Sequence, residues 1–172
     1  MKSKTKSVGI LVSGSLTYDT IFGLRGKIKE QIVMENGKLG NQSLMFTGQE
    51  KQIYYGGTGG NIAYGLGKLG HPPMLVSVIG QDFDMFEKHL KKLNVKLRVK
   101  KILDQYCSTF YAMTDENGEQ IGVYQPGCAE KHLVPLKLSH VMNQKEIQNI
   151  KIAIFSPGIA ESMVKQMEEF RK

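Results

Sequence analysis

The residues best suited to bind a ligand form a glycine-rich segment, Tyr55-Gly-Gly-Thr-Gly-Gly-Asn-Ile-Ala-Tyr64, which leads directly into a helical pattern. Glycines ahead of a helix N-terminus let backbone amides approach a ligand without obstruction by Cβ atoms. Asn61 adds a side chain that both donates and accepts hydrogen bonds, which suits a sugar hydroxyl. The segment predicts a ligand-binding turn, and the alternative interpretation is a flexible hinge beside a flap.

A carboxylate, Asp19, is the second candidate for chemistry. The apolar run Val8-Gly-Ile-Leu-Val12 and the turn Ser13-Gly-Ser15 predict a buried strand, and Asp19 follows just beyond its carboxyl end. Open α/β sheets bind ligands at such strand ends, so an acid there is well placed to meet one. The alternative role for Asp19 is a turn or capping residue.

Two better-known glycine motifs are excluded by their context. Gly65-Leu-Gly-Lys-Leu-Gly70 has the letters of a dinucleotide-binding motif, but it lies at the end of a predicted helix rather than between a strand and a helix. Gly67-Lys68 resembles the end of a phosphate-binding loop. However, Ile62 stands where that motif needs glycine, and Leu69 stands where it needs serine or threonine.

Metal-ligand spacing is not found in the sequence. Cys107 and Cys128 form no CxxC pair, and the four histidines are scattered. We therefore expect reduced, structural thiols and no metal site built from protein side chains.

Hydrophobic periodicity predicts the elements that must position these candidates. Glycine and proline at 70–73 end a helix over 61–69, and Asp82 is a candidate cap for the helix after it. The other predicted elements are short antiparallel strands at 43–46 and 51–54, strands at 74–79, 95–103 and 151–155, a hairpin 109–114/120–124 with a turn at 115–118, and a helix over 159–170 with Met163, Val164, Met167 and Phe170 inward. This order implies a layered α/β domain with parallel pairing and right-handed crossovers, in which a further strand would follow the last helix.

Composition sets the broad class of protein. The 172 residues are 41% hydrophobic and 23% charged, with a net charge of +7, and no stretch is long and apolar enough to cross a bilayer. Basic residues alternate with apolar ones over 95–100, as on a solvated strand face, which disfavours a nucleic-acid binder. The basic segment 1–7 lacks the long apolar run of a secretion signal, so we expect a cytoplasmic protein.

The glycine-rich segment belongs to a longer pattern that resembles a known family. The matching positions, spread over 25 residues, are Gly56, Gly57, Gly59, Asn61, Ala63, Gly70 and Gly80. They fall in the register of the N-terminal signature of the ribokinase-like (PfkB) carbohydrate kinases, which include adenosine-kinase-like and sugar-kinase branches. Gly14 to Asp19, the Gly80-Gln-Asp82 turn and the hairpin 109–127 also look like parts of the family's N-terminal portion.

The resemblance implies an α/β fold with a layered sheet, helices on its faces and a small β-ribbon lid. It further implies a kinase that uses ATP and Mg²⁺ to phosphorylate a hydroxyl of a sugar or nucleoside. By the same resemblance, Asp19 accepts hydrogen bonds from sugar hydroxyls, Gly56, Gly57 and Asn61 complete the cradle, and Phe110 packs on the substrate. An ordinary core aromatic is the alternative for Phe110.

One family element is absent from the sequence. The family's catalytic aspartate lies in a Gly-Ala-Gly-Asp element near the C-terminus, and these 172 residues contain none. We therefore expect residues 1–172 to supply substrate binding and lid segments at about 26–55 and 107–127, without a catalytic base, a metal ligand or most of the ATP site. The alternative is a non-catalytic ligand-binding or dimerisation module, with a homodimer formed through the lid strands.

Overall fold

The computed structural model describes residues 9–32, 34–35, 38–39 and 44–171. The basic segment 1–7 and two ends of predicted strands, Val8 and Ser43, lie outside the described residues. The strands are β1 (Gly9–Ser13), β2 (Thr17–Leu24), β3 (Met34–Glu35), β4 (Lys38–Leu39), β5 (Gly48–Gly56), β6 (Met74–Ile79), β7 (Lys96–Lys101), β8 (Ser108–Thr114), β9 (Gln120–Gln125) and β10 (Ile150–Phe155). The α-helices are α1 (Ile28–Gln31), α2 (Thr58–Lys68), α3 (Asp84–Lys91), α4 (Ala129–His132), α5 (Gln144–Gln148) and α6 (Ala160–Phe170), and a 3-10 helix spans Leu138–His140.

A parallel sheet with the strand order β10-β1-β6-β7 forms the main core. Its two inner strands are apolar, with Leu11, Val12, Leu75 and Val76 fully buried. Strands covered on both faces need such continuous apolar runs, because helices pack on each side of a parallel sheet. The predicted parallel α/β core is confirmed.

The longer helices of the described residues are α2, α3 and α6, and their details correct the sequence-based expectations. α2 begins at Thr58 rather than at Asn61, so the glycines at 59 and 60 belong to its first turn. Phe83 rather than Asp82 holds the N-cap position of α3, and Asp82 Oδ1 accepts a hydrogen bond from the Cys107 backbone N–H at 2.8 Å. On α6, Val164 points to solvent while Gln166 is buried, contrary to the predicted inward face.

A second sheet has the strand order β5-β2-β8-β9, with β8 and β9 paired antiparallel. The predicted hairpin turn is confirmed, because Asp115 Oδ1 accepts hydrogen bonds from the backbone N–H groups of Asn117 and Glu119. The predicted strand at 43–46 is wrong for 44–46, which have no regular structure, and β2 was not predicted.

The chain divides into two compact units. The first contains residues up to Thr17, Tyr55–Ser108 and from Pro126 onward, and it holds the parallel sheet. The second contains Tyr18–Tyr54 and Thr109–Gln125, and it holds most of the second sheet.

Candidate functional site

In the first unit, the start of α2 lies against the turn that follows β1. Gly57 has φ +81°, and a Cβ at this position would lie 2.6 Å from the Ser15 carbonyl oxygen. A Cβ on Gly59 would lie 2.8 Å from the carbonyl carbon of Gly14. Both distances are shorter than atoms tolerate, so the close approach of turn and helix requires glycine at both positions.

Three hydroxyl side chains tie the start of α2 to the ends of two strands. We call Ser15, Thr58 and Ser156 the hydroxyl clasp. Thr58 Oγ1 donates to the Pro157 carbonyl at 2.7 Å, and it lies 3.2 Å from Ser15 Oγ and 3.1 Å from Ser156 Oγ. Ser156 in turn donates through its Oγ to the Ser13 carbonyl at 2.9 Å. The clasp therefore fixes α2 relative to the loops after β1 and β10.

The clasp was not predicted, although a signal for it exists. The turns Ser13-Gly-Ser15 and Ser156-Pro-Gly158 each follow a predicted strand of the same sheet. Because β1 and β10 are adjacent and parallel, their carboxyl ends, and hence the two serine turns, meet at one edge. Recognising that adjacency from the sequence would have required knowing the strand order.

Several first-turn amides of α2 already have partners inside the chain. The Thr58 N–H donates to Ser15 Oγ at 3.2 Å, the Gly60 N–H to the Ser15 carbonyl at 3.2 Å, and the Asn61 N–H to the Gly57 carbonyl at 2.9 Å. These amides therefore hold the turn in place. The exposed side chain of Asn61 is the polar group that this turn presents to solvent.

Three of the predicted site residues, Gly56, Gly57 and Asn61, are brought together in the first unit. Gly56 is buried at the end of β5, Gly57 precedes α2, and Asn61 lies in the first turn of that helix. A glycine pair, with Gly56 buried and Gly57 half-buried, followed by an exposed amide forms a rigid backbone edge with one hydrogen-bonding side chain. Such an edge suits a small hydroxylated ligand.

The other two predicted residues, Asp19 and Phe110, lie in the second unit on the adjacent strands β2 and β8. Asp19 follows β1 along the chain, as expected, and it belongs to β2, a strand that was not predicted. It is half-buried, and this burial raises the pKa of its carboxyl group above the ordinary value.

The Phe110 ring packs over the backbone of β9. A Cβ on Gly122 would lie 2.8 Å from Cε2 of the ring, so the ring occupies the space that a side chain would otherwise fill. Phe110 is half-buried, and part of the ring surface faces solvent.

Acidic, histidine and cysteine side chains do not gather in groups of three or more within the described ranges. Among the helices of the described residues, none combines the length and the apolar character needed to span a membrane.

Comparisons with known proteins agree on one family. The model of the pfkB family carbohydrate kinase matches residues 27–172. The Burkholderia thailandensis nucleoside kinase in complex with inosine is 28% identical, with a TM-score of 0.65, over 94% of this chain and 48% of that one. The Methanocaldococcus jannaschii nucleoside kinase, an archaeal member of the ribokinase family, is 27% identical, with a TM-score of 0.72, over 92% of this chain and 47% of that one.

The Burkholderia thailandensis nucleoside kinase is also known in complex with ADP and inosine, and this structure is 30% identical, with a TM-score of 0.60, over 94% of the present chain and 48% of its own. The chain thus spans about half the length of the structures it matches. These relatives are kinases, and one of their structures contains ADP. Both the relatives and the parallel sheet agree with the ribokinase-like fold that was predicted from the glycine pattern. The chain belongs to the pfkB family of carbohydrate kinases.

Proposed function

We propose that this chain supplies the substrate-binding part of an ATP-dependent kinase that phosphorylates a hydroxyl group of a nucleoside or sugar. The observation that carries the proposal is the glycine turn before α2, which the hydroxyl clasp holds rigid and which presents Asn61 to solvent. The family and the inosine complex of the Burkholderia thailandensis relative support a nucleoside as the first substrate class to test.

In this proposal the amide of Asn61 exchanges hydrogen bonds with hydroxyl groups of the substrate. Gly56 and Gly57 provide a backbone edge that no side chain obstructs. For the second unit, taken by itself, we propose that the Asp19 carboxylate accepts hydrogen bonds from hydroxyl groups of a ligand and that the exposed part of the Phe110 ring packs on it.

ATP would donate the phosphoryl group, with Mg²⁺ neutralising charge on its phosphates. The described residues offer no cluster of acidic side chains for the ion, and the sequence contains no Gly-Ala-Gly-Asp element. We therefore assign this chain to substrate binding and derive no phosphoryl-transfer step from its residues. We place the reaction in the cytoplasm, where ATP is supplied.

Ligand-induced thermal stabilisation tests this proposal. A ligand that binds only the folded state raises the melting temperature, and the rise grows as the ligand concentration exceeds its Kd. We expect inosine, adenosine or ribose to raise the melting temperature of the chain, and Asn61→Ala to remove that rise. Asn149→Ala changes another exposed asparagine, outside the glycine turn, and serves as the control. Equal ligand responses of the two variants would contradict the role of Asn61.

A second candidate, a homodimer formed through the second sheet, is favoured by exposed apolar side chains on the β8–β9 hairpin. Tyr111 pairs across the strands with Val123, so the two lie on one face of the hairpin, and both are exposed. Such a patch fits a self-complementary interface between two copies of the chain.

Sedimentation velocity tests the dimer. We expect a concentration-dependent dimer for the wild type and a monomer for Val123→Glu. Val164→Glu is the matched control, because Val164 is a similarly exposed valine on α6. A dimer that Val123→Glu leaves intact would rule out this interface.

A further inference from the structure

The two cysteines flank one structural feature, the β8–β9 hairpin. Cys107 directly precedes β8, and Cys128 follows β9 by three residues. Both belong to the first unit, at the points where the chain leaves that unit for the hairpin and returns to it. A covalent bond between them would close a loop that contains the entire hairpin.

Backbone contacts hold the two cysteine segments side by side. The Cys128 N–H donates to the Tyr106 carbonyl at 2.9 Å, and the Ser108 hydroxyl donates to the Pro126 carbonyl at 2.7 Å. A Cβ on Gly127 would lie 2.9 Å from the carbonyl carbon of Cys107, which shows how closely the two backbones approach. Such a close approach of the two backbones is the first requirement for a disulfide between the side chains that they carry.

The two thiols also contact each other. Neither is part of a disulfide, both are almost fully buried, at 2% and 1% exposure, and a side-chain hydrogen bond joins them. The Gly80 N–H donates to Cys107 Sγ at 3.1 Å. The Cys107 N–H is held by Asp82 Oδ1 at 2.8 Å, so the backbone on which this thiol is carried is fixed.

The contact makes the two thiols chemically unequal. The hydrogen bond between them raises the pKa of Cys107 and lowers the pKa of Cys128, because Cys107 remains the donor when Cys128 loses its proton. The nucleophile in thiol oxidation is the thiolate. The lowered pKa favours Cys128 as the thiol that reacts first and leaves Cys107 as the thiol that resolves the product.

We propose that Cys107 and Cys128 form a redox-active dithiol that a small hydroperoxide converts to an intramolecular disulfide, which cross-links the two ends of the β8–β9 hairpin. In the first step the Cys128 thiolate attacks one peroxide oxygen and the O–O bond breaks. This step gives a sulfenic acid on Cys128 and one molecule of water or alcohol. In the second step Cys107 sulfur attacks the sulfenic sulfur, the S–S bond forms, and a second water leaves with the Cys107 proton.

The cross-link would act on the hairpin alone. It would close the loop 107–128 and reduce the conformational freedom of that loop in the unfolded chain. The burial of both sulfurs favours a small oxidant over a bulky disulfide, which would have to reach a sulfur inside the core. The inference does not depend on the proposed substrate or on phosphoryl transfer.

Mass spectrometry of the intact chain tests the proposal. The reduced, folded chain is treated with hydrogen peroxide, quenched with catalase, and then unfolded in the presence of iodoacetamide. We expect the wild type to lose the mass of two hydrogen atoms, to take up no alkyl group, and to give a peptide pair joined through Cys107 and Cys128. Dithiothreitol should restore two alkylatable thiols.

Three results would overturn the proposal. They are two alkylatable thiols remaining in the wild type, a gain of oxygen atoms without cross-linking, or a cross-link between two chains on a non-reducing gel. These outcomes are read from the wild type, so they stand even where a cysteine variant folds poorly.

Thermal melting gives a second readout. The oxidised wild type should melt at a higher temperature than the reduced protein, and reduction should reverse the shift. Cys107→Ser and Cys128→Ser should show no such reversible rise. A reversible rise in either variant would contradict an intramolecular disulfide as its cause.

Discussion

The carboxyl group of Asp19 is both ionisable and half-buried, and burial disfavours its charged form. Asp19 lies on a sheet strand, and burial raises the pKa of its carboxyl group above the ordinary value of 3.8. The folded chain therefore binds this proton more tightly than the unfolded chain does. Asp19 consequently lowers the stability of the folded state as the pH rises from 3.8 through the raised pKa. A carboxylate retained at such a cost is typical of a residue kept for binding.

Asp19→Asn should therefore increase stability near neutral pH while it weakens ligand binding. The amide carries no charge to desolvate, so the urea midpoint should rise at pH 7, and the gain should disappear below pH 3.8. The rise in melting temperature caused by a nucleoside should fall in the same variant. Asp104→Asn, at an exposed loop position, is the control and should change neither quantity. A less stable Asp19→Asn at pH 7 would show that the carboxylate is a structural group.

At the scale of elements, the hydroxyl clasp connects three of them: β1, α2 and β10. Thr58 is its centre, because its hydroxyl donates to the Pro157 carbonyl and also contacts both serines. We assign the clasp no direct contact with the substrate. It sets the position of the turn from which Asn61 projects.

Thr58→Val and Thr58→Ser separate the hydroxyl from the shape of the side chain. Valine keeps the branched shape but removes the hydroxyl, so we expect a loss of about 1–2 kcal/mol in the free energy of unfolding. Serine keeps the hydroxyl and should lose less. Urea unfolding measures this difference, and the ligand-induced melting shift should fall in the valine variant and persist in the serine variant. Equal behaviour of the two variants in both measurements would contradict the clasp.

Elements that bury continuous apolar runs could be predicted from the sequence, whereas polar contacts could not. The residues of β6 are the predicted ones, because an apolar run of six residues between two turns fits a buried strand. The inward face of α6 was predicted wrongly, because the polar residue Gln166 is buried there. Its side chain accepts a hydrogen bond from the Ser13 hydroxyl and donates one to the Leu136 carbonyl. Such partners lie far away in the sequence, and hydrophobic periodicity carries no information about them.

In the candidate site, too, one part could be predicted from the sequence and another could not. The glycine turn could be predicted because a close approach of two backbones requires glycine. Both Gly57 and Gly59 lie so close to the turn after β1 that a Cβ atom would clash with it. The clasp could not, because serines after strands are common and only the strand order brings Ser15 and Ser156 together. β2 was missed because Tyr18-Asp-Thr-Ile21 mixes polar and apolar residues without a strict alternation.

At the scale of the whole molecule, the two edges of the parallel sheet differ in chemistry. β7 forms one edge and carries exposed lysines at 96, 100 and 101, and such charges discourage pairing with another strand. β10 forms the other edge, where the part of the chain that the structure describes provides a partner on one side only. β10 carries one exposed lysine, Lys151, and beside it Ile152, which is 49% exposed. A strand edge with an exposed apolar side chain and few charges favours association with another chain.

We therefore expect the purified chain to self-associate through β10, separately from the proposed hairpin dimer. Ile152→Lys should raise the concentration at which association begins by about tenfold, because it removes an apolar contact worth on the order of 1.5 kcal/mol and adds charge repulsion. Static light scattering over a concentration series measures this onset. Met85→Lys places the same charge at an exposed apolar position on α3, away from the edge, and is the matched control. An onset that moves equally in both variants would mean that net charge, rather than the β10 edge, controls association.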